Sequence, residues 1–177
     1  SRGISLTYLP GTLSETDSIH KLLLSHQINS QLFTSENASE GAFKSLSGKA
    51  PNIIHVSTHG FYFPYEEYNL FNNLIGMSEE EYSFKNIENP LMRSCLTMAG
   101  AQNIFDGILL PEGIDDGVLS AYEVSQMNLF DTHLVVLSAC QTGLGDIKGS
   151  EGVYGLKRAF KMAGADYLLI SLWEVPD

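Results

Sequence analysis

Apolar and polar positions alternate through Ile4-Ser5-Leu6-Thr7-Tyr8-Leu9 and stop at Pro10-Gly11. That period of two predicts a short strand closed by a turn. The period then lengthens. Ser14 with Asp17 three residues on predicts a helix N-cap, and Ile19, Leu22 and Leu23 make an apolar face reaching about His26. Residues 30–33 form a short strand candidate. Asn37 or Ser39 caps a short helix through Phe43 and Leu46, broken by Gly48-Lys49-Ala50-Pro51. Residues 52–58 (NIIHVST) are a strong strand that ends at His59-Gly60.

Residues 61–90 are aromatic, acidic and Asn-rich without a sustained period, so they read as a long acidic loop or insertion. Residues 91–101 and 107–110 predict a hairpin, and Asp115-Asp116-Gly117 a turn. Ser120 caps a helix over residues 121–127. A second strong strand, residues 133–138 (HLVVLS), runs into Ala139-Cys140. Residues 141–151 are Gly-rich, residues 152–163 are helical with Val153, Leu156 and Phe160 on one face, and residues 166–173 (DYLLISLW) are a third strand. Strands alternating with helices, the strands almost continuously apolar, predict an α/β domain with a mostly parallel sheet covered by helices on both faces. No internal repeat or low-complexity tract interrupts it, so residues 1–177 read as a single domain. The chain stops just after a strand, at Val175-Pro176-Asp177, where a doubly covered sheet wants another helix. The expectation is a domain incomplete at its C-terminus that natively continues past Asp177.

Composition narrows the class. Hydrophobic residues at 44% against 18% charged supply a core and argue against a disordered chain. The net charge of −11 makes nucleic acid a poor partner. The acidity is uneven: residues 61–119 hold two basic and ten acidic groups, among them Glu66-Glu67, Glu79-Glu80-Glu81 and Asp115-Asp116. These read as a solubilising surface loop or, more sharply, as a negative rim steering a basic peptide. No apolar run is long enough for a membrane span, and no signal-peptide layout opens the chain. Two cysteines are too few for a disulfide framework, which points to a cytoplasmic protein.

The chemistry gathers at strand ends. In a parallel sheet, ligands and catalysts sit at the carboxyl ends of the strands. One strong strand ends at His59 and another at Cys140. If the two are neighbours, thiol and imidazole face one crevice, the minimal equipment for nucleophilic acyl transfer. Gly60, lacking a side chain, lets its N–H approach an oxyanion, and the N–H of Cys140 is the natural second donor. Plainer readings stand beside this one. A lone Cys at a strand end is commonly a small buried hydrophobe, and a lone His a satisfied hydrogen-bonding residue. His55 competes with His59 but lies mid-strand. His20, His26 and His133 read as surface or strand-edge residues, and Cys95 as structural. No Cys/His spacing supplies a zinc site, and no G-x-S-x-G elbow or phosphate loop is present, so neither metal nor cofactor is expected.

At these strand ends the sequence resembles the CHAT domain, a caspase-like peptidase family often fused to tetratricopeptide repeats in bacteria. Six segments carry the resemblance, in order. The opening is Tyr8-Leu9-Pro10-Gly11-Thr12 followed by Glu15, and the histidine strand is Ile54-His55-Val56-Ser57-Thr58-His59-Gly60. Asp116-Gly117-Val118-Leu119-Ser120-Ala121 precedes the nucleophile strand Val135-Val136-Leu137-Ser138-Ala139-Cys140-Gln141-Thr142-Gly143. Residues 149–152 with Ala163-Gly164-Ala165 match the following helix, and Ser171-Leu172-Trp173-Glu174-Val175-Pro176-Asp177 the next strand and its exit. The resemblance implies a caspase-like three-layer α/β sandwich and a cysteine endopeptidase with His59 and Cys140 as its dyad. The Trp-x-Val-x-Asp exit is similar to that of separases, which implies Asp177 as the floor of a pocket for a basic P1 side chain, with Trp173 and Glu174 near it. Family architecture implies a fused or bound tetratricopeptide-repeat regulator. The expected partner is a protein or peptide substrate. The alternative is a catalytically silent caspase-like interaction module, against which the intact pair argues. A weaker alternative is nucleotide binding by the loop of residues 141–151.

Overall fold

A computed structural model describes residues 5–63, 89–108, 110–111, 114–139 and 150–170, the last without the side chains of residues 150–153. In chain order the elements are α1 (Pro10–Ser25), a 3-10 turn (Ser35–Asn37), α2 (Glu40–Lys44), β1 (Ile53–Ser57), β2 (Gly60–Tyr62), α3 (Pro90–Arg93) and β3 (Ser94–Thr97). They continue with α4 (Ala101–Phe105), β4 (Val118–Ser120), α5 (Ala121–Ser125), β5 (Leu134–Ser138), α6 (Ser150–Ala163) and β6 (Tyr167–Ile170). The result is α/β, with a small parallel sheet and helices, an arrangement compatible with a caspase-like fold.

The three strong apolar strands form one parallel sheet in the order β1-β5-β6. Its register aligns Ile54 with Val135 and Leu168, and Val56 with Leu137 and Ile170. Ile54, Val135 and Leu137 therefore share one face and are buried in the main core. Helix α6 packs there because Leu156, Ala159, Phe160 and Ala163, spaced i, i+3, i+4, i+7, are all buried. It ends at Gly164, whose φ of +106° stops the helix, and the N–H of Ala165 donates to the Phe160 carbonyl at 3.0 Å. Helix α5 completes that layer with Ala121 and Val124. Its start is a full capping box: Glu123 N–H donates to Ser120 Oγ, and Ser120 N–H donates to Glu123 Oε2 at 2.9 Å.

The opposite face carries His55, Ser57, Val136, Ser138, Tyr167 and Leu169 by the same register. Helix α1 packs toward β1 and buries none of its own residues. On β6, at the other edge of the sheet, Tyr167 and Leu169 are 70% and 61% exposed.

Several local expectations are corrected. Residues 5–9 form no strand, and α1 begins at Pro10 with Leu9, not Ser14, in the N-cap position. Proline at the first helical position loses no hydrogen bond and brings a helical φ, so the dipeptide read as a turn opens a helix instead. Residues 30–33 form no strand. The expected hairpin over residues 91–110 is replaced by α3, β3 and α4. Strand β3 pairs antiparallel with β2 and β4, giving a second sheet in the order β2-β3-β4. The stretch read as a loop from residue 61 thus opens inside a strand, and residues 64–88 lie outside the described residues. This second sheet is packed on both faces: Leu96 and Leu119 turn into the main core, while Cys95 and Val118 join Phe61, Phe63, Ile104 and Phe105 in a smaller one.

Candidate active site

The two strands that lead into the candidate residues His59 and Cys140 are neighbours. β1 and β5 pair in parallel through Ser57 opposite Ser138, and Thr58 N–H extends the ladder to the Ser138 carbonyl at 3.1 Å. His59 lies two residues beyond Ser57, and Cys140 follows Ser138 in the chain at the same interval. Cys140 itself lies outside the described residues, as do Trp173, Glu174 and Asp177.

His59 is held on both sides. Its Nε2 sits 2.7 Å from the Thr7 carbonyl oxygen, in the segment before α1. A carbonyl only accepts, so Nε2 carries the proton, and Nδ1 is the basic nitrogen of the neutral ring. The His59 carbonyl accepts from Thr97 N–H at 3.0 Å, and Thr58 Oγ1 donates to the Thr97 carbonyl at 2.7 Å. The second sheet thereby fixes the backbone on which the imidazole rides. The ring is 9% exposed and packs against Phe61, centroids 6.1 Å apart. Gly60, in β2, faces Ala139, the residue before Cys140: a Cβ on Gly60 would lie 3.4 Å from Ala139 Cβ, an ordinary contact.

His55 Nε2 lies 3.1 Å from Glu15 Oε1 on α1. His20 meets Ser30 Oγ at 3.0 Å, His26 the Leu22 carbonyl at 2.9 Å, and the exposed His133 pairs with Asp166 at 2.7 Å. Cys95 is buried in the smaller core. Burial, with Asp116 nearby, pushes its thiol up to about 12, so it stays protonated and unreactive at neutral pH.

Glu15 was visible beforehand only as part of a motif. Ser57 Oγ donates to Glu15 Oε2 at 2.7 Å and Ser138 Oγ donates to Glu15 Oε1 at 2.7 Å. Burial works against its charge, but the Ser138 and Ser57 hydroxyls and the His55 ring outweigh burial and hold the carboxyl below its ordinary range. No short-range pattern could have shown this, because the partners are 42 and 123 residues away in sequence.

The acidic pair Asp115-Asp116, read as part of a solubilising loop or a steering rim, belongs to a local network. Lys44 reaches Glu40, Glu123 at 2.8 Å and Asp115 at 3.4 Å. Glu40 accepts from Gly117 N–H at 3.0 Å, and Asp116 from Val118 N–H at 2.7 Å. Glu40 is 2% exposed, and burial pushes its carboxyl up to about 7 although Lys44 pulls the other way and Glu123 adds repulsion. Glu123 is also opposed by burial, yet donors on Lys44 and Ser120 lower it. For Glu40 the folded value lies above the ordinary 4.5, so its protonated form favours the fold. That contribution is complete below 4.5 and is lost as pH rises to about 7. The melting-temperature difference between wild type and Glu40→Gln is therefore expected to change across this window, wild type losing ground as pH rises. A constant difference from pH 4 to 8 would remove Glu40 as the titrating group.

Among the described residues no cluster of three His, Cys, Asp or Glu side chains is placed to hold a metal ion, and no helix is long and apolar enough to cross a membrane. A family model for the CHAT domain matches residues 1–177. No curated protein and no solved structure matches the chain.

Proposed function

The chain belongs to the CHAT domain family, and we propose on that footing that it is a cysteine endopeptidase hydrolysing peptide bonds in a protein substrate with His59 and Cys140. One observation carries the reading: the carboxyl ends of β1 and β5 lie side by side, with the His59 tautomer set by the Thr7 carbonyl. A neutral imidazole that donates through Nε2 carries its acceptor at Nδ1, the nitrogen through which proton exchange with a thiol would pass.

The steps follow. The Cys140 thiol loses its proton to His59, and the thiolate attacks the scissile carbonyl carbon. The C=O pair moves onto oxygen, and that oxyanion is received by the N–H groups of Gly60 and Cys140. Collapse breaks the C–N bond, and the His59 imidazolium protonates the departing amine. Water then attacks the thioester, His59 takes its proton, and release of the acid returns the thiolate.

We take residues 1–177 as one domain of the caspase-like three-layer sandwich, α5 and α6 forming one outer layer and α1 beginning the other. Asp177 is the floor of a pocket for a basic P1 residue, flanked by Trp173 and Glu174. A fused or bound repeat module regulates the enzyme in the cytoplasm. Cleavage-site profiling on a peptide library tests the chemistry and the pocket. Cuts after Lys or Arg that disappear in Asp177→Asn are expected. Cuts after other residues would discard the pocket and keep the dyad, whereas no Cys140-dependent cut would sink the peptidase reading.

A further inference from the structure

The last register pair before the reactive residues is Ser57 opposite Ser138. Both hydroxyls point to the same face and donate to the two different oxygens of one carboxylate, Glu15, each at 2.7 Å. His55 Nε2 adds a contact of 3.1 Å to Oε1. One side chain of α1 thus staples the carboxyl ends of two adjacent strands. Main-chain ladder bonds fix strand spacing, but the final residues of a strand fray unless something beyond the ladder holds them. Here the carboxylate supplies that hold, and two charge-assisted bonds to one rigid acceptor define the relative height of the two strands.

The same N-terminal stretch touches the imidazole directly. Thr7, eight residues before Glu15, accepts a hydrogen bond from His59 Nε2 through its carbonyl. Segment 7–15 therefore reaches the histidine ring at one end and the strand ends at the other.

We propose that Glu15 is a positioning residue for the dyad: by bridging Ser57 and Ser138 it sets the separation of the strand ends that carry His59 and Cys140. The assignment rests on the peptidase reading above. Among the described residues Glu15 meets Ser57, Ser138 and His55 at the strand ends, and its effect passes through the two serines. An imidazole at the right distance lowers the thiol pKa, so the reactivity of Cys140 reports that separation without any substrate.

The test is the pH profile of Cys140 alkylation by iodoacetamide, mapped by peptide mass spectrometry, alongside kcat and KM for a cleaved peptide. Wild type is compared with Glu15→Gln, with Ser57→Ala/Ser138→Ala, and with all three changes together. Glutamine offers one acceptor oxygen and an NH2 donor, so one serine must reverse its hydroxyl to accept, and both bonds lose their charge assistance. The expected result for Glu15→Gln is an alkylation midpoint moved up toward the ordinary thiol value of about 8.5. Its kcat should fall roughly tenfold to a hundredfold with KM within about twofold. The serine pair should reproduce this or exceed it, and the combined variant should be no worse than the serine pair, because all act on the same two bonds. Circular dichroism and melting confirm the fold of each; if Glu15→Gln fails to fold, the serine pair decides alone. An unchanged alkylation profile and kcat in a folded variant overturn the positioning role while leaving the peptidase intact. A wild-type Cys140 that alkylates like a small-molecule thiol and supports no cleavage overturns the peptidase reading itself, and the staple's role with it.

Discussion

Cys140→Ala is expected to bring peptide cleavage to background, a loss of roughly 10⁴-fold or more in kcat. In the proposed mechanism the sulfur forms the bond to the scissile carbon, so no neighbour replaces it. His59→Ala should lose a similar amount, since the thiol then has no base and the leaving amine no acid. Residues acting as one unit are not additive, so the double variant should be no slower than either single one. Stability separates the two. His59 is a buried ring against Phe61 with a hydrogen bond to the Thr7 carbonyl, so its removal should lower the melting temperature as well. Single-turnover assays on purified variants, with melting curves beside them, provide the check. Cleavage retained by a clean Cys140→Ala protein would end the mechanism.

Gly117→Ala should have the largest effect on stability. Gly117 has a φ of +78°, where a β-carbon is strained. That β-carbon would lie 2.5 Å from Ala101 N and 2.8 Å from the Ala99 carbonyl oxygen, both backbone atoms that cannot swing aside. The same residue donates its N–H to Glu40 at 3.0 Å and accepts from Met98 N–H at 2.7 Å. Strain, overlap and two endangered hydrogen bonds together predict a loss of about 3 kcal/mol or more. For a chain of this size that lowers the melting temperature by roughly 6–12 °C. Urea unfolding measures it directly. A loss under about 1 kcal/mol would mean that the loop relaxes, and that the Asp116-Gly117 motif is there for another reason. The consequence reaches the site, because Val118 pairs with Thr97, whose N–H holds the His59 carbonyl.

The parallel sheet was legible in the sequence because each strand carries its signal locally. Residues 53–57 and 134–138 are apolar runs long enough to read alone, and a run that ends in His-Gly or Ala-Cys announces where its chemistry belongs. Ser120 was legible as a cap for the same reason, since a hydroxyl three residues before an unsatisfied N–H is a short-range arrangement; between Asn37 and Ser39 the structure chose Ser39. The second sheet was not. Its strands are three or four residues long, too short for a period to stand out, and β3 finds its partners in β2 and β4 on either side of long connections. Cys95 was sorted correctly as structural, yet nothing near it in sequence pointed to Phe61 and Ser120 as its ladder partners.

By itself the sequence determined the α/β class, the parallel strands and the two candidate reactive residues, since side-chain period, caps and strand-end chemistry are written within a few residues of where they act. Tertiary structure alone decided that β1 and β5 are neighbours with Ser57 opposite Ser138. It also decided that Thr7 sets the His59 tautomer, that Thr97 fixes the His59 backbone, and that Glu15 closes the strand ends. Such contacts join groups tens of residues apart. They exist only once strands and helices have assembled: α1 buries none of its residues, and the hydrogen bonds of Glu15 to Ser57 and Ser138, not local backbone preference, tie it over the strand ends.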